Sequence, residues 1–174
     1  MPASGAYMLD TTVFNHLRER RASLAPCPSR RLLVTGVQAA ELKATGNPQT
    51  RDELAAVFEE IAPEMTLASS FAFDIEGAGF NQACWNDGSG RFEAMLERLR
   101  ELDPRTKNPL NQQRDILIAE TALKNGATLV TDDRNLGQVF RDFGGHAISL
   151  AELIDPARKR GGDAGDAAAG GVPA

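Results

Sequence analysis

Short apolar runs alternate with amphipathic stretches along this chain. Tyr7-Met8-Leu9 ahead of Asp10 reads as a short buried strand, and Val13, Phe14 and Leu17 then fall at helical spacing behind Thr11 and Thr12, either of which can cap the helix. Arg31 to Thr35 repeats the strand signal through Leu32, Leu33 and Val34, and Val37 to Ala44 reads as a helix with Glu41 about one turn in. Gly46-Asn47-Pro48 breaks the chain, and Thr50 with Glu53 three residues on gives a capping-box pattern ahead of Leu54, Val57, Phe58 and Ile61. From Met65 to Asn108 the signals weaken, with Phe71, Phe73, Phe80 and Trp85 separated by glycines. The clear element there is an amphipathic helix from Arg91 to Leu102, with Phe92, Met95, Leu96, Leu99 and Leu102 at three- and four-residue spacing, ended by Pro104. Asn111 to Asn125 reads as a long helix closed by Gly126, followed by a strand from Ala127 to Thr131 of the kind buried on both faces. A helix from Asn135 to Phe143, a last strand from His146 to Ser149 and a final turn capped by Ser149 and Glu152 complete the pattern. Residues 157–174 are mostly Gly, Ala and Asp, which predicts a disordered tail.

Strands that alternate with helices predict one domain over residues 1–156, a three-layer α/β/α sandwich around a central, mostly parallel sheet with right-handed crossovers. Such sheets bind ligands beyond the carboxyl ends of their strands. Asp10 and Asp133 stand at those ends, and Glu41 and Asp115 are expected to reach the same edge from the first turns of helices. Acids gathered without basic partners need a cation. With neither Cys nor His nearby, an all-oxygen set selects a hard ion such as Mg²⁺ or Mn²⁺, which makes metal-assisted hydrolysis the expected chemistry. Asp132-Asp133 is the strongest single signal, because two adjacent acids at a buried strand end are costly unless something positive binds them.

Composition narrows the function classes without deciding among them. A chain of 174 residues, 42% hydrophobic and 25% charged, is ordinary for one globular domain. A net charge of -5 argues against a generally basic nucleic-acid binder, but metal bound to several of the acids would bring the balance close to neutral. Local positive charge comes from Arg18, Arg20, Arg21, Arg30 and Arg31, and later from Arg91, Arg98, Arg100, Arg105, Lys107 and Arg114, each cluster serving either as a phosphate contact or as a solvated helix face. Cys27 and Cys84 show no CxxC spacing, so neither zinc nor a disulfide framework is suggested, and a reducing cytoplasm fits. No apolar run approaches a membrane span, and no signal peptide is expected.

Taken together, the acid after a strand, the Glu in a helix, Asp115-x-x-Ile118-Ala119 in a helix and Thr131-x-Asp133 after a strand resemble the PIN-domain family, and within it the VapC-like toxins. The resemblance runs from Tyr7 to about Ile154 and is poorest between Met65 and Asn108. It implies a Mg²⁺- or Mn²⁺-dependent endoribonuclease whose catalytic, metal-holding acids are Asp10, Glu41, Asp115 and Asp133. It leaves open whether Asp132 or Asp133 binds metal, since Asp132 fills the family's variable position. Thr131 matches a hydroxyl that orients the acids, Thr12 stands where the family often has Asn or Ser, and Thr11 lies beside it. Glu120, where the family more usually has alanine, is expected on an exposed helix face. The implied partners are an RNA substrate, an antitoxin protein and a second copy of the chain. Phe14 and Leu17, with Leu54 and Phe58, either line a groove for that antitoxin or belong to the core. The alternatives are a PIN-like nuclease of RNA processing or defence outside a toxin pair, and a catalytically silent binding module.

Overall fold

A computed structural model describes residues 5–20, 24, 30–70, 75–79, 88–104 and 108–155. The elements run β1 (Ala6–Leu9), α1 (Thr11–Arg20), β2 (Arg31–Val34), α2 (Gly36–Lys43), α3 (Pro48–Ile61), β3 (Glu64–Met65), α4 (Arg91–Leu102), α5 (Pro109–Lys124), β4 (Thr128–Val130), α6 (Arg134–Asp142), β5 (Ala147–Ile148) and α7 (Leu150–Ile154). The strands form a sheet in the order β3-β2-β1-β4-β5, and every pairing is parallel. Because parallel neighbours need crossovers, helices cover both faces.

Strand alternation builds the two cores. Met8, Leu33, Leu129 and Ala147 face one side and pack with Met95 and Leu99 of α4, Ile116 and Ala119 of α5 and Phe140 of α6. Leu9, Val34, Val130 and Ile148 face the other and pack with Phe14 and Leu17 of α1, Leu54 of α3 and Leu153 of α7. The three-layer sandwich is therefore present, with a fully parallel sheet. Among the described residues, no helix is long and apolar enough to cross a membrane. The expected tail at residues 157–174 lies outside the described residues.

Several local expectations shift. α3 starts at Pro48, with Asn47 as its cap accepting from the Thr50 N–H at 3.0 Å, so no capping box forms at Thr50. Proline at the first helical position, where the amide hydrogen has no partner anyway, sets the start. Glu53 instead meets Arg18 at 3.2 Å and Gln49 at 3.1 Å. In the same way Asn108 caps α5 and Pro109 opens it, which puts Asp115 in the second turn rather than the first. Glu41 is likewise in the second turn of α2, so the field of a helix start, which fades within one turn, does little for either acid.

Phe14, Leu17 and Leu54 are core residues, and the half-buried Phe58 stacks on Phe14 with ring centroids 5.6 Å apart. Phe14, Leu17 and Leu54 therefore line no groove, and of the four only Phe58 reaches an open cleft. Leu17→Ala is expected to cost about 2–4 kcal/mol in chemical denaturation, the loss of a buried side chain plus the cavity it leaves; a change below about 0.5 kcal/mol would show that Leu17 is not in the core. The open apolar surface nearby is a cleft of about 330 Å³ between α2, α3 and β3, lined by Leu42, Ala55, Phe58 and Met65 and rimmed by Lys43 and Arg51.

Candidate metal centre

The carboxyl ends of β1 and β4 lie side by side, and that adjacency creates the site. The Asp10 N–H donates to the Val130 carbonyl at 3.0 Å, carrying the β1–β4 ladder one residue past the strand, and the Asp10 carbonyl accepts from Val13 as α1 begins. Thr131 follows β4 directly. Its hydroxyl donates to Asp10 Oδ2 at 2.8 Å, the Thr12 hydroxyl donates to the same oxygen at 2.6 Å, and the Thr11 hydroxyl donates to Glu41 Oε2. All three threonines thus contact the acids. Gln38 was not singled out from sequence, yet it is fully buried and anchors α2 by donating to the Leu9 carbonyl at 2.9 Å and closing a capping box on Thr35. Its signal was readable: Thr35-x-x-Gln38 has the capping-box spacing.

Burial and like charge act together on the acids. Asp115 accepts no hydrogen bond from the described residues, and its pKa is pushed up to about 8 by burial first, then by the charges of Asp10, Glu41 and Asp133, with Arg114 opposing. Burial also raises Asp10, against hydrogen bonds from Thr12 and Thr131, and the Asp133 charge adds to the rise. Glu41 is raised by burial and by Asp10, against the Thr11 hydroxyl and Arg114. The four acids therefore share one electrostatic environment.

The sequence suggested acids without a basic partner, and here the structure differs. Arg114 Nη1 lies 3.7 Å from Glu41 Oε1, and a cleft of about 230 Å³ opens beside the pair, bounded by Ala40, Ala44, Thr45 and Glu76. Among the described residues one guanidinium stands against four acids, which leaves the site acidic on balance.

Asp133 is exposed and caps α6, its Oδ1 accepting from the Asn135 and Leu136 N–H groups at 2.8 and 3.0 Å. Asp132 is engaged elsewhere, with His16 Nδ1 at 2.6 Å from its Oδ2 and the Leu150 N–H at 3.1 Å from its Oδ1. Among the described residues, no three Asp, Glu, His or Cys side chains are closed up around one ion-sized point. The donor set nonetheless fits a hard divalent cation. It is all oxygen, and Asp10 Oδ1 is buried without a hydrogen-bond partner, a costly state that a cation would relieve.

Glu120 is not on an exposed face, contrary to expectation. It is fully buried on α5; its Oε2 accepts from the Ser69 and Ser70 hydroxyls at 2.6 and 2.7 Å, and Lys124 Nζ stands 3.4 Å from Oε1. The neighbouring Thr121 hydroxyl accepts the Ser69 N–H at 2.9 Å. Glu120 thus pins the segment after β3 onto α5. Glu120→Ala is expected to lose on the order of 3 kcal/mol of stability by leaving two hydroxyls unpaired. Glu120→Gln, which keeps an acceptor, should lose less than half as much in the same urea titration, and equal losses would rule out the hydroxyl contacts as the cause.

No family model matches the sequence, and no curated protein matches it either. Among solved structures, the chain is similar to one in the structure of VapBC2 from Rickettsia felis bound to a DNA fragment from their promoter, at 17% identity and TM-score 0.46, over 83% of this chain and 98% of that one. It is similar to a chain of VapBC-5, a member of the VapBC family of toxin-antitoxin systems from Mycobacterium tuberculosis, at 21% identity and TM-score 0.43, over 83% and 97%. It is also similar to a chain of FitAcB from Neisseria gonorrhoeae, at 14% identity and TM-score 0.39, over 82% and 96%. At these scores the likeness is one of chain outline and carries no weight for the chemistry.

Proposed function

We propose that this chain is a Mg²⁺- or Mn²⁺-dependent endoribonuclease of the PIN type, acting as the toxin of a type II toxin–antitoxin pair inside the cell. The observation that carries the nuclease reading is Asp115, a buried carboxyl held near three other acids with no hydrogen bond from the described residues. Asp10, Glu41, Asp115 and Asp133 would hold the ion. When bound, the divalent ion supplies Lewis acidity for activating water and for the charge that builds on the phosphoryl and leaving oxygens.

The chain's own residues do the rest. Thr12 and Thr131 fix Asp10 by donating to one oxygen and leave Oδ1 for the ion. Thr11 holds Glu41 by Oε2, with Oε1 turned toward Arg114. Arg114, which lines the adjoining cleft, is placed to meet a phosphate oxygen of the RNA backbone. Asp115, whose burial and acidic neighbours favour its protonated form, is an acid suited to accept the proton of the attacking water.

The toxin assignment rests on the order of the acids in the sequence, and it brings an antitoxin partner and a homodimer as expectations. The test is cleavage of total cellular RNA by the full chain with Mg²⁺ or Mn²⁺, with the product ends determined. Attack by water is expected to leave a 5′-phosphate and a 3′-hydroxyl. Products ending in a 2′,3′-cyclic phosphate, or undiminished cleavage in excess EDTA, would contradict the reading. Absence of cleavage on every RNA tried would favour a binding module.

A further inference from the structure

Two acids stand side by side after β4, and the contacts each makes differ. Asp132 has both carboxylate oxygens taken by protein donors, one by His16 of α1 and one by the first N–H of α7. Facing a carboxylate, His16 Nδ1 carries the hydrogen and donates it. The pair is only partly open to solvent, with side-chain exposures of 32% for His16 and 21% for Asp132, so it is better held than a fully exposed surface ion pair. Among the described residues Asp133 commits only Oδ1 to the protein, in capping α6.

We propose that His16 is a positioning residue for the metal centre: it draws Asp132 away and leaves Asp133, through Oδ2, as the acid offered to the ion. This rests on the functional reading above and extends it to a residue outside the four acids. His16 sits one helical turn beyond Thr12, so the same face of α1 that fixes Asp10 also fixes the turn after β4. The Thr131 hydroxyl in that turn both donates to Asp10 at 2.8 Å and accepts from the Asp133 N–H at 3.1 Å. Holding Asp132 therefore sets Thr131 and Asp133 together. In metal sites, partners one step removed from the ion commonly carry ten- to a hundredfold of affinity.

The experiment is Mn²⁺ titration by calorimetry of the full-length wild type and of the Asp132→Asn, Asp133→Asn, His16→Ala and His16→Asn proteins, each checked for a cooperative melt. Asp133→Asn and His16→Ala are expected to weaken Mn²⁺ by about tenfold or more, while Asp132→Asn stays within about threefold of wild type. The amide introduced by Asp132→Asn can still accept from the Leu150 N–H and meet the alternative tautomer of His16. His16→Asn should restore binding to within about threefold, because its amide can donate where Nδ1 did. If Asp132→Asn loses Mn²⁺ as Asp133→Asn does, Asp132 is a ligand and the proposal is overturned while the metal-dependent reading stands. If His16→Ala binds as wild type, the pair is only a surface contact and the proposal falls. Should His16→Ala fail to fold, His16→Phe, which keeps a ring but cannot donate, takes its place with the same two outcomes. A wild type that binds no Mn²⁺ overturns the functional reading and this inference with it.

Discussion

Asparagine in place of Asp10 is expected to reduce metal-dependent RNA cleavage by about a thousandfold or more while leaving the melting temperature of the metal-free protein unchanged or raised. The amide is nearly the same shape as the carboxylate, and its oxygen can still accept from Thr12 and Thr131, which hold Asp10 Oδ2 at 2.6 and 2.8 Å. What is lost is a negative charge among four acids that act electrostatically on one another. In the metal-free protein that charge is a liability, because Asp10 is buried, Oδ1 has no partner and its field adds to the pressure on Asp115 and Glu41. With the ion bound, the same charge is what holds it. Activity and stability are thus expected to move in opposite directions, measured as cleavage rate and as a thermal melt in EDTA. A variant that loses activity because it unfolds would show a lowered melt and would not support the assignment.

The second large effect is a stability that falls as pH rises. Asp115 titrates near 8 in the folded metal-free protein, against an ordinary value of 3.8. Between those values the native state keeps a proton that the unfolded chain releases, so each rise in pH favours unfolding. The slope from this group is about 1.4 kcal/mol per pH unit, and the loss across the window is on the order of 5 kcal/mol. Stability from this source is complete below about pH 4 and gone above about pH 8. Asp10 and Glu41, both raised, add in the same direction. Asp115→Asn should flatten the profile. Divalent metal should reverse the trend, since it needs the ionised acids: binding releases protons and tightens with pH up to about 8. Urea titrations at several pH values, in EDTA and in Mg²⁺, measure both; a metal-free protein that grows steadily more stable from about pH 5 to 8 would contradict the electrostatic picture.

The layered sheet and the four acids were legible in the sequence because both depend on local order. Apolar runs such as Leu32-Leu33-Val34 and Leu129-Val130 mark buried strands, and an acid just past a parallel strand sits at the binding edge whatever the helices do. Contacts between distant segments were not legible. Glu120 looks like any solvent-facing helix residue, since Ser69 and Ser70, about fifty positions earlier, lie in the stretch with the weakest pattern. β3 is two exposed residues, Glu64 and Met65, with no alternation to read. Phe14 and Leu54 show helical spacing, which marks burial without saying against what. Asp132 and Asp133 are indistinguishable as letters; their contacts separate them, since Asp132 meets His16, over a hundred residues away in the chain, and the Leu150 N–H, while Asp133 caps α6. Asn47-Pro48 and Asn108-Pro109 carried true start signals for α3 and α5 that the nearby Thr50–Glu53 spacing and the apolar run after Asp115 obscured.

Everything proposed for the chemistry depends on Asp10, Glu41, Asp115 and Asp133 holding a divalent ion at the carboxyl edge of the sheet. An anomalous-scattering difference map from crystals soaked in Mn²⁺ would locate that ion. The expected result is a peak with oxygens of these acids at about 2.1 Å, including Asp10 Oδ1, and no peak at that position in Asp10→Asn crystals. Mn²⁺ bound only elsewhere, or persisting unchanged in the Asp10→Asn protein, would contradict it.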